Sequence, residues 1–278
     1  MILPTPTDFQ FSQASLQDYV DCPRRFQLRY LLRLAWPALE AEPALESERH
    51  LQQGAAFHRL VHQHVLGIAP ERLSNAVTDA DLRRWWHNYL EHGPGDLPAS
   101  SYPEVVLSAP AGGYRLVAKY DLVAVDAGQR GVIVDWKTSR RQPRRRHLAE
   151  RLQTRVYPYL LVRAGSHLND GRPFEPEQVE MVYWFANFPG SPERFPYGVA
   201  RYEADGAYLA ALIEEIESLG DGDFPLTTQE RRCRYCLYRS YCDRGARAGA
   251  MDEMDSDMAP EDLSQLDFDF EQIAEIEF

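Results

Sequence analysis

The stretch from Leu116 to Thr138 holds two apolar runs, rich in β-branched residues, joined by a turn at Asp126-Ala127-Gly128. Apolar runs joined by a turn of this kind predict a β-hairpin. Each run is apolar on both faces, which indicates strands buried in a sheet that is covered on both sides. The sequence therefore predicts two central strands in the interior of the protein.

Three charged residues interrupt these runs. Asp121 lies in the first, and Asp135 and Lys137 end the second. Side chains alternate along a strand, so residues 135 and 137 share one face, and the simplest hairpin register places Asp121 beside them. Two carboxylates so close repel each other unless a cation lies between them. Oxygen ligands of this kind suit Mg²⁺ or Mn²⁺.

A structural Asp–Lys ion pair at a strand end is the alternative interpretation. The use of lysine argues against it, because Lys119 and Lys137 are the only lysines among the 30 Lys and Arg residues of the chain. Arginine keeps its proton in proteins, whereas lysine can shift its pKa and act on a water molecule. The presence of lysine rather than arginine at position 137 therefore favours a catalytic role over a structural ion pair.

An Asp on one strand followed by Asp-x-Lys on the next resembles the PD-(D/E)XK nuclease superfamily, and Asp135-Trp-Lys-Thr138 is similar to its RecB-type and AddB-type domains. The resemblance implies an α/β, restriction-endonuclease-like core with a central mixed sheet flanked by helices. It also implies that Asp121, Asp135 and the Trp136 carbonyl hold Mg²⁺ or Mn²⁺, with Lys137 acting on the attacking water or the developing charge.

The apolar positions of residues 54–66 predict an amphipathic helix that carries three histidines. A single histidine on a helix is more often structural than a ligand. The family pattern of a Gly followed four residues later by a His fits Gly54 and His58, and implies that His58 is a metal ligand. His62 lies one turn further along the same face and is a second candidate.

Other segments complete the expected core. Glu104-Val-Val-Leu predicts a first strand, an apolar stripe predicts a helix over 147–164, and further patterns predict a strand over 178–187 and a helix over 206–219. Ser15 to Asp18 fits a capping box that starts a helix, with an interruption at Cys22-Pro23. A helix, three strands, a helix and a strand follow in the order of the superfamily's core.

Residues 139–147 form the densest basic run of the chain. Such runs are usually solvated surface, but beside a candidate phosphodiesterase centre Arg140, Arg141 and Arg144 are expected to contact phosphates. Gln153 and Tyr157 lie one turn apart on the predicted helix. Gln-x-x-x-Tyr after Asp-x-Lys resembles a motif of the RecB-type branch, which implies that both residues lie over the catalytic site and contact DNA.

The four cysteines are Cys22, Cys233, Cys236 and Cys242. The Cys-x2-Cys-x5-Cys spacing of the last three indicates a metal site, and thiolates suit zinc or iron–sulfur. One early cysteine with three late ones resembles the iron–sulfur staple of AddB-type and CRISPR-adaptation nucleases. This resemblance implies a [4Fe–4S] cluster that ties the C-terminal segment to the N-terminal helix, with structural Zn²⁺ as the alternative.

The charge distribution separates a domain from a tail. After Arg247 there is no basic residue, and the 11 acids that follow account for nearly all of the net charge of −12. We expect a nuclease domain over 1–247, including the cysteines, and an acidic, disordered tail over 248–278. The tail could bind a helicase or integrase partner, cover the DNA groove, or only solubilise the chain. No apolar run is long enough to span a membrane and no signal peptide is present, so a cytoplasmic protein is expected.

The resemblance implies a metal-dependent DNA nuclease, most simply a single-stranded DNA exonuclease of repair, recombination or CRISPR adaptation. Two alternatives stay open. One is a non-hydrolytic DNA-binding or assembly subunit of a larger helicase–nuclease or adaptation complex, against which the intact Asp121, Asp135 and Lys137 set argues. The other is a nuclease that acts on RNA.

Overall fold

The computed structural model describes residues 5–6, 8–34, 41–220, 224–234 and 236–245, and for residues 41–48 it describes the backbone alone. The acidic segment 248–278, expected to be disordered and to contact a partner or the DNA groove, lies outside the described residues. Within these ranges no helix combines the length and the apolar character needed to cross a membrane.

The described residues form eight strands in two sheets. The strands are β1 (Gln10–Ser12), β2 (Ser100–Pro103), β3 (Val106–Ala111), β4 (Tyr114–Lys119), β5 (Leu122–Asp126), β6 (Arg130–Lys137), β7 (Val179–Phe185) and β8 (Glu193–Pro196). The larger sheet has the order β2-β5-β6-β7-β8, and the smaller one the order β1-β4-β3. The β6–β7 pair is parallel and the other pairs of the larger sheet are antiparallel, so this sheet is mixed.

Helices cover both faces of the larger sheet. They are α1 (Gln13–Asp21), α2 (Pro23–Phe26), α3 (Ala41–Val65), α4 (Pro70–Ala76), α5 (Ala80–His92), α6 (Arg145–Glu150), α7 (Leu152–Ala164), α8 (Val199–Leu219) and α9 (Glu230–Cys233), with a π-helical turn at Gln27–Leu31 and short 3₁₀ turns at Ser166–Leu168 and Pro176–Gln178. The mixed sheet with helices on its faces is the α/β architecture that the sequence predicts.

The predicted hairpin is confirmed for β5 and β6, which pair with Leu122 opposite Val134. The first apolar run, however, is not one strand. It breaks at Tyr120 and Asp121, and β4 on one side of the break belongs to the smaller sheet while β5 belongs to the larger one. Asp121 therefore lies at the junction of the two sheets, directly before β5.

Alternation along β6 separates two cores. Val134 and Trp136 pack with the aromatic residues of α3 and α5 on one face. Ile133 packs into the other core, with α1, α7 and α8, and Asp135 and Lys137 share its face by the period of two. The predicted pair of charges thus points toward α7, at the end of a buried strand.

Three local predictions need correction. The N-terminal helix begins earlier than expected, because Ser12 is the N-cap and forms the capping box with Ser15, although the helix ends before Cys22-Pro23 as predicted. Glu104 lies between β2 and β3 rather than in a strand, in the left-handed region at φ 56°. The helix predicted over 147–164 is divided in two at Arg151, whose ψ of 144° is extended.

Candidate active site

The end of β6 and the start of β5 bring the predicted charges together. The Asp121 Oδ2 atom accepts a hydrogen bond of 2.9 Å from the Trp136 main-chain N–H, which fixes this carboxylate against the neighbouring strand. The Lys137 Nζ atom lies 2.9 Å from Asp135 Oδ2, and the Lys137 side chain is 10% exposed. A buried lysine and a buried aspartate thus lie next to a second, nearly buried carboxylate.

Gln153, in the first turn of α7, joins the two charges of β6. Its Nε2 atom donates to Asp135 Oδ1 at 2.5 Å, and its Oε1 atom accepts from Lys137 Nζ at 3.0 Å. The side chain is fully buried. One carboxamide therefore satisfies an anion and a cation at the same time, and it holds the Asp135–Lys137 pair in one arrangement.

His58 enters the site from α3. Its Nδ1 atom lies 3.2 Å from Asp121 Oδ1, and both side chains are about nine-tenths buried. Gly54, one turn earlier, allows the approach, because a Cβ atom at this position would lie 3.1 Å from Thr138 Oγ1. The spacing of Gly54 and His58 therefore has a packing reason: the helix touches the end of β6 through the glycine and delivers the imidazole one turn later. His62, the second candidate, is half-buried.

Tyr157 lies in the core. It is 1% exposed, its ring centroid lies 4.8 Å from that of Tyr120, and its carbonyl accepts a 2.8 Å hydrogen bond from the Tyr120 hydroxyl. Direct contact with DNA, as the motif implies, would need an exposed ring. In this structure Tyr157 instead contacts Tyr120, the residue directly before Asp121, and holds it in place. No sequence pattern predicted this contact.

The basic loop after β6 is exposed and is held at its base. Arg140, Arg141 and Arg144 are all exposed. Arg145 bonds Glu193 at 2.6 Å, and its guanidinium lies 4.4 Å from the Phe195 ring centroid, so the loop is fixed to β8. The exposed arginines therefore project from a tethered segment that directly follows Lys137.

Burial dominates the electrostatics of the site. It raises the pKa of Asp135 to about 6, the ammonium of Lys137 lowers it, and the Asp121 carboxylate adds to the rise. In the described part of the chain, no three His, Cys, Asp or Glu side chains are arranged to hold a metal ion. The donors nevertheless suit a hard divalent cation, since the Asp121 and Asp135 carboxylates and the His58 imidazole lie close to one another.

Lys119, the second lysine, contacts a glutamate beside the strand junction. It forms an ion pair with Glu104, and the Glu104 main-chain N–H donates to the Asp121 carbonyl at 3.1 Å. The pair therefore supports the strand junction that holds Asp121. Sequence patterns gave no sign of this contact, because the glutamate and the lysine are 15 residues apart in the chain.

Cys22 is the C-cap of α1, and the three late cysteines lie in the C-terminal segment that contacts this end of the helix. Burial raises the pKa of the Cys233, Cys236 and Cys242 thiols, that of Cys236 to about 11, and the charge of Cys22 adds to the rise in all three. All four are free thiols.

Polar contacts fix the C-terminal segment to the N-terminal helices. Arg232 forms a 2.8 Å ion pair with Asp21, and the Arg24 main-chain N–H donates to the Pro225 carbonyl at 3.2 Å. The Tyr238 hydroxyl donates to the Leu34 carbonyl at 3.2 Å. The segment that carries the three late cysteines is therefore held beside Cys22 by contacts that need no metal.

A mixed sheet between helices, with two carboxylates and a lysine at the end of two neighbouring strands, defines a class of metal-dependent phosphodiesterase folds. A family model of the PD-(D/E)XK nuclease superfamily matches residues 10–243. The chain belongs to this superfamily.

Comparisons at the level of single proteins add little to this assignment. No curated protein matches the chain. A candidate exonuclease from Eubacterium rectale is similar in structure, with a TM-score of 0.49, 8% identity, and coverage of 84% of this chain and 87% of the other. The protein SSO0001 gives a TM-score of 0.42 and 16% identity, with coverage of 84% and 85%. The assignment rests on the family model.

Proposed function

We propose that this protein is a metal-dependent nuclease that hydrolyses DNA, acting on single strands from an end. The convergence of Asp121, Asp135 and Lys137 at one edge of the sheet, with Gln153 bridging the last two, carries the proposal. Asp121, Asp135, His58 and the Trp136 carbonyl would hold Mg²⁺ or Mn²⁺. Bound there, the metal would polarise the scissile phosphate and acidify a water molecule.

Lys137 supplies the chemistry that belongs to the chain itself. Its Nζ atom lies 2.9 Å from Asp135 Oδ2 and 3.0 Å from Gln153 Oε1, at the end of β6. A cation held in a buried site stabilises negative charge that develops on phosphate oxygens, and a lysine can also orient or deprotonate the attacking water. Arg140, Arg141 and Arg144 would position the strand by phosphate contacts.

The test is hydrolysis of 5′- and 3′-labelled single-stranded and double-stranded DNA with Mn²⁺. The wild-type chain should release short products and lose this activity with a chelator, and Lys137→Ala should be inactive while still folded. Lys119→Arg, which removes the only other lysine but keeps the positive charge that pairs with Glu104, is the matched control and should stay active. Wild-type rates in Lys137→Ala would refute the assignment of this residue. Parallel reactions with labelled RNA test the alternative substrate.

A second candidate is a non-hydrolytic DNA-binding or assembly subunit. The observation in its favour is that the candidate metal ligands are already engaged within the protein: His58 with Asp121, and Asp135 with Lys137 and Gln153. A protein of this kind would bind DNA but release no product with either Mg²⁺ or Mn²⁺. Turnover by the wild-type chain separates the two candidates.

We also propose that Cys22, Cys233, Cys236 and Cys242 hold a [4Fe–4S] cluster, with structural Zn²⁺ as the alternative. The ion pair of Arg232 with Asp21 and the hydrogen bond from the Arg24 N–H to the Pro225 carbonyl hold the C-terminal segment beside Cys22, and this supports a shared ligand set. Burial raises the pKa of the Cys233, Cys236 and Cys242 thiols in the metal-free chain, so binding must release protons and should weaken as the pH falls. The cluster would fix the C-terminal segment onto α1 and α2 and would stabilise the fold.

Protein purified without oxygen should then be brown, with absorption near about 400 nm from Cys-ligated iron. Cys22→Ala should lose as much iron and stability as Cys236→Ala, although the two positions are far apart in the chain. A colourless protein with one zinc ion would contradict the cluster and leave the nuclease proposal intact.

The acidic tail, residues 248–278, would bind a partner such as a helicase or integrase. A pull-down with and without the tail tests this proposal.

A further inference from the structure

One carboxamide that the catalytic proposal does not use makes four hydrogen bonds at the start of the basic loop after β6. The Asn187 Nδ2 atom donates to the Thr138 carbonyl at 3.1 Å and to the Ser139 carbonyl at 3.0 Å. Its Oδ1 atom accepts from Trp85 Nε1 at 2.8 Å and from the Arg84 guanidinium at 3.1 Å. A carboxamide has two donor hydrogens and an oxygen with two lone pairs, so each hydrogen-bonding position of this side chain is used.

The two carbonyls that Asn187 holds belong to the residues directly after Lys137. The Lys137 carbonyl accepts a 2.8 Å hydrogen bond from the Ala186 main-chain N–H. Three consecutive carbonyls, those of residues 137–139, therefore accept hydrogen bonds from residues 186 and 187. The pairing of β6 with β7 thus continues beyond the end of both strands through one side chain. Asn187 sets the direction in which the chain leaves the candidate active site.

The far end of the basic loop is attached to the same connection between β7 and β8. The Gln142 Nε2 atom donates to the Ser191 carbonyl at 2.8 Å, and Arg145 pairs with Glu193 at 2.6 Å. The exposed arginines of the loop lie between these attachments and Asn187. A loop that is held at both ends is already ordered before it meets a ligand, so little conformational freedom is lost on binding.

The partners of the Asn187 oxygen connect the loop to the core of the protein. Trp85 is 2% exposed, and its ring centroid lies 6.2 Å from that of Phe57 on α3. The same helix delivers His58 to the site. The loop and the candidate metal ligand are thus positioned by one packed group of helices, and Asn187 is the link on the side of the loop.

We propose that Asn187 is a positioning residue for nucleic acid binding. It fixes the start of the basic loop so that Arg140 and Arg141 meet phosphates of the strand that is cleaved. The inference rests on the proposed function, since the phosphates belong to the nuclease substrate. Asn187 acts through the loop and touches no reacting atom. Without its two donors, each binding event would have to order the loop, which lowers affinity.

The test compares Asn187→Ala with wild type in the full-length chain. Binding of a fluorescent single-stranded oligonucleotide is measured with a chelator, which prevents hydrolysis, across a range of salt concentrations. Affinity should fall by about tenfold, because the loop is no longer ordered in advance. The slope of log affinity against log salt should stay the same, because no charge is removed. Arg140→Met combined with Arg141→Met should instead make the slope shallower by about 1.4, the value for two phosphates on a single strand.

A double-mutant cycle separates positioning from a general structural role. Asn187→Ala should cause no further loss of affinity in the chain that already carries Arg140→Met and Arg141→Met. In hydrolysis with Mn²⁺, Asn187→Ala should raise KM but keep kcat within about twofold of wild type. The reason is that the Lys137 side chain keeps its contacts with Asp135 and Gln153.

Trp85→Phe is the matched control. It removes the donor to Asn187 Oδ1 but leaves both bonds from Asn187 Nδ2 to the loop. It should lower the urea midpoint without changing affinity. If Asn187→Ala does not fold, Asn187→Asp takes its place in the cycle, since it keeps an acceptor for Trp85 and lacks the two donors. The effect of its added charge is common to both arms of the cycle and cancels.

Three results would overturn the inference and leave the proposed function standing, provided that the wild type cleaves DNA. They are unchanged affinity in Asn187→Ala, an equal loss of affinity with and without the two loop arginines, and full affinity in the chain that lacks those arginines. A wild type that neither binds nor cleaves any nucleic acid would refute the proposed function and this inference together.

Discussion

Replacing Gln153 with leucine tests how strongly one neutral side chain holds the charged pair of β6. The change keeps the volume but removes two hydrogen bonds, one to the Asp135 carboxylate at 2.5 Å and one from the Lys137 ammonium at 3.0 Å. Hydrogen bonds to charged groups contribute about 1.5–3 kcal/mol each, so the two together are worth roughly 3–6 kcal/mol. Asp135 and Lys137 still contact each other, which favours the lower end.

The adjacent residue offers a matched control. Thr154 is also buried and also makes two hydrogen bonds, but its partners, the Leu148 carbonyl and the Tyr183 hydroxyl, are neutral. Bonds between neutral groups contribute about 0.5–1.5 kcal/mol each, so Thr154→Val should cost roughly 1–3 kcal/mol. The expected difference between the two variants is therefore about 2 kcal/mol.

Urea unfolding at pH 7, followed by the fluorescence of the buried tryptophans, measures both variants. With a slope near 3 kcal/mol per M, Gln153→Leu should lower the midpoint by about 1 M, and Thr154→Val by about half as much. Nuclease activity should fall in Gln153→Leu, because Lys137 loses the acceptor that orients it. Equal losses of stability would refute the argument, since they would show that the charges on Asp135 and Lys137 add nothing to these bonds.

Two further predictions concern neighbouring positions. Gly54→Ala places a Cβ atom 3.1 Å from Thr138 Oγ1 and should lower activity by displacing His58, whereas Gly206→Ala meets an equally close contact far from the site and should leave activity unchanged. Burial raises the pKa of Asp135 from 3.8 to about 6, so the folded, metal-free chain binds this proton more tightly than the unfolded chain. The stabilisation from this proton is full below pH 3.8 and is lost as the pH rises through about 6. Asp135→Asn cannot titrate at this position, so its thermal unfolding temperature should not show this fall with rising pH.

The sequence predicted the end of β6 well. Alternation alone places Asp135 and Lys137 on one face, and the structure has them on the face toward α7. The sequence alone could not predict that the preceding apolar run divides at Tyr120. Both halves of the run are apolar, so hydrophobic periodicity is the same on either side of the break. The division depends on tertiary contacts, since the Tyr120 hydroxyl bonds the Tyr157 carbonyl on a helix that follows much later in the chain.

The break of the predicted helix at Arg151 has a similar origin and a larger consequence. The stripe of Leu148, Leu152 and Val156 is buried on both sides of the break, so the apolar pattern again gave no sign of it. Because α7 begins at the break, Gln153 lies in a first helical turn, and its carboxamide reaches both charges of β6. An uninterrupted helix would have made Arg151 an interior helical residue. The interruption thus places the bridging amide of Gln153 at the start of α7, where it holds Asp135 and Lys137 in one arrangement.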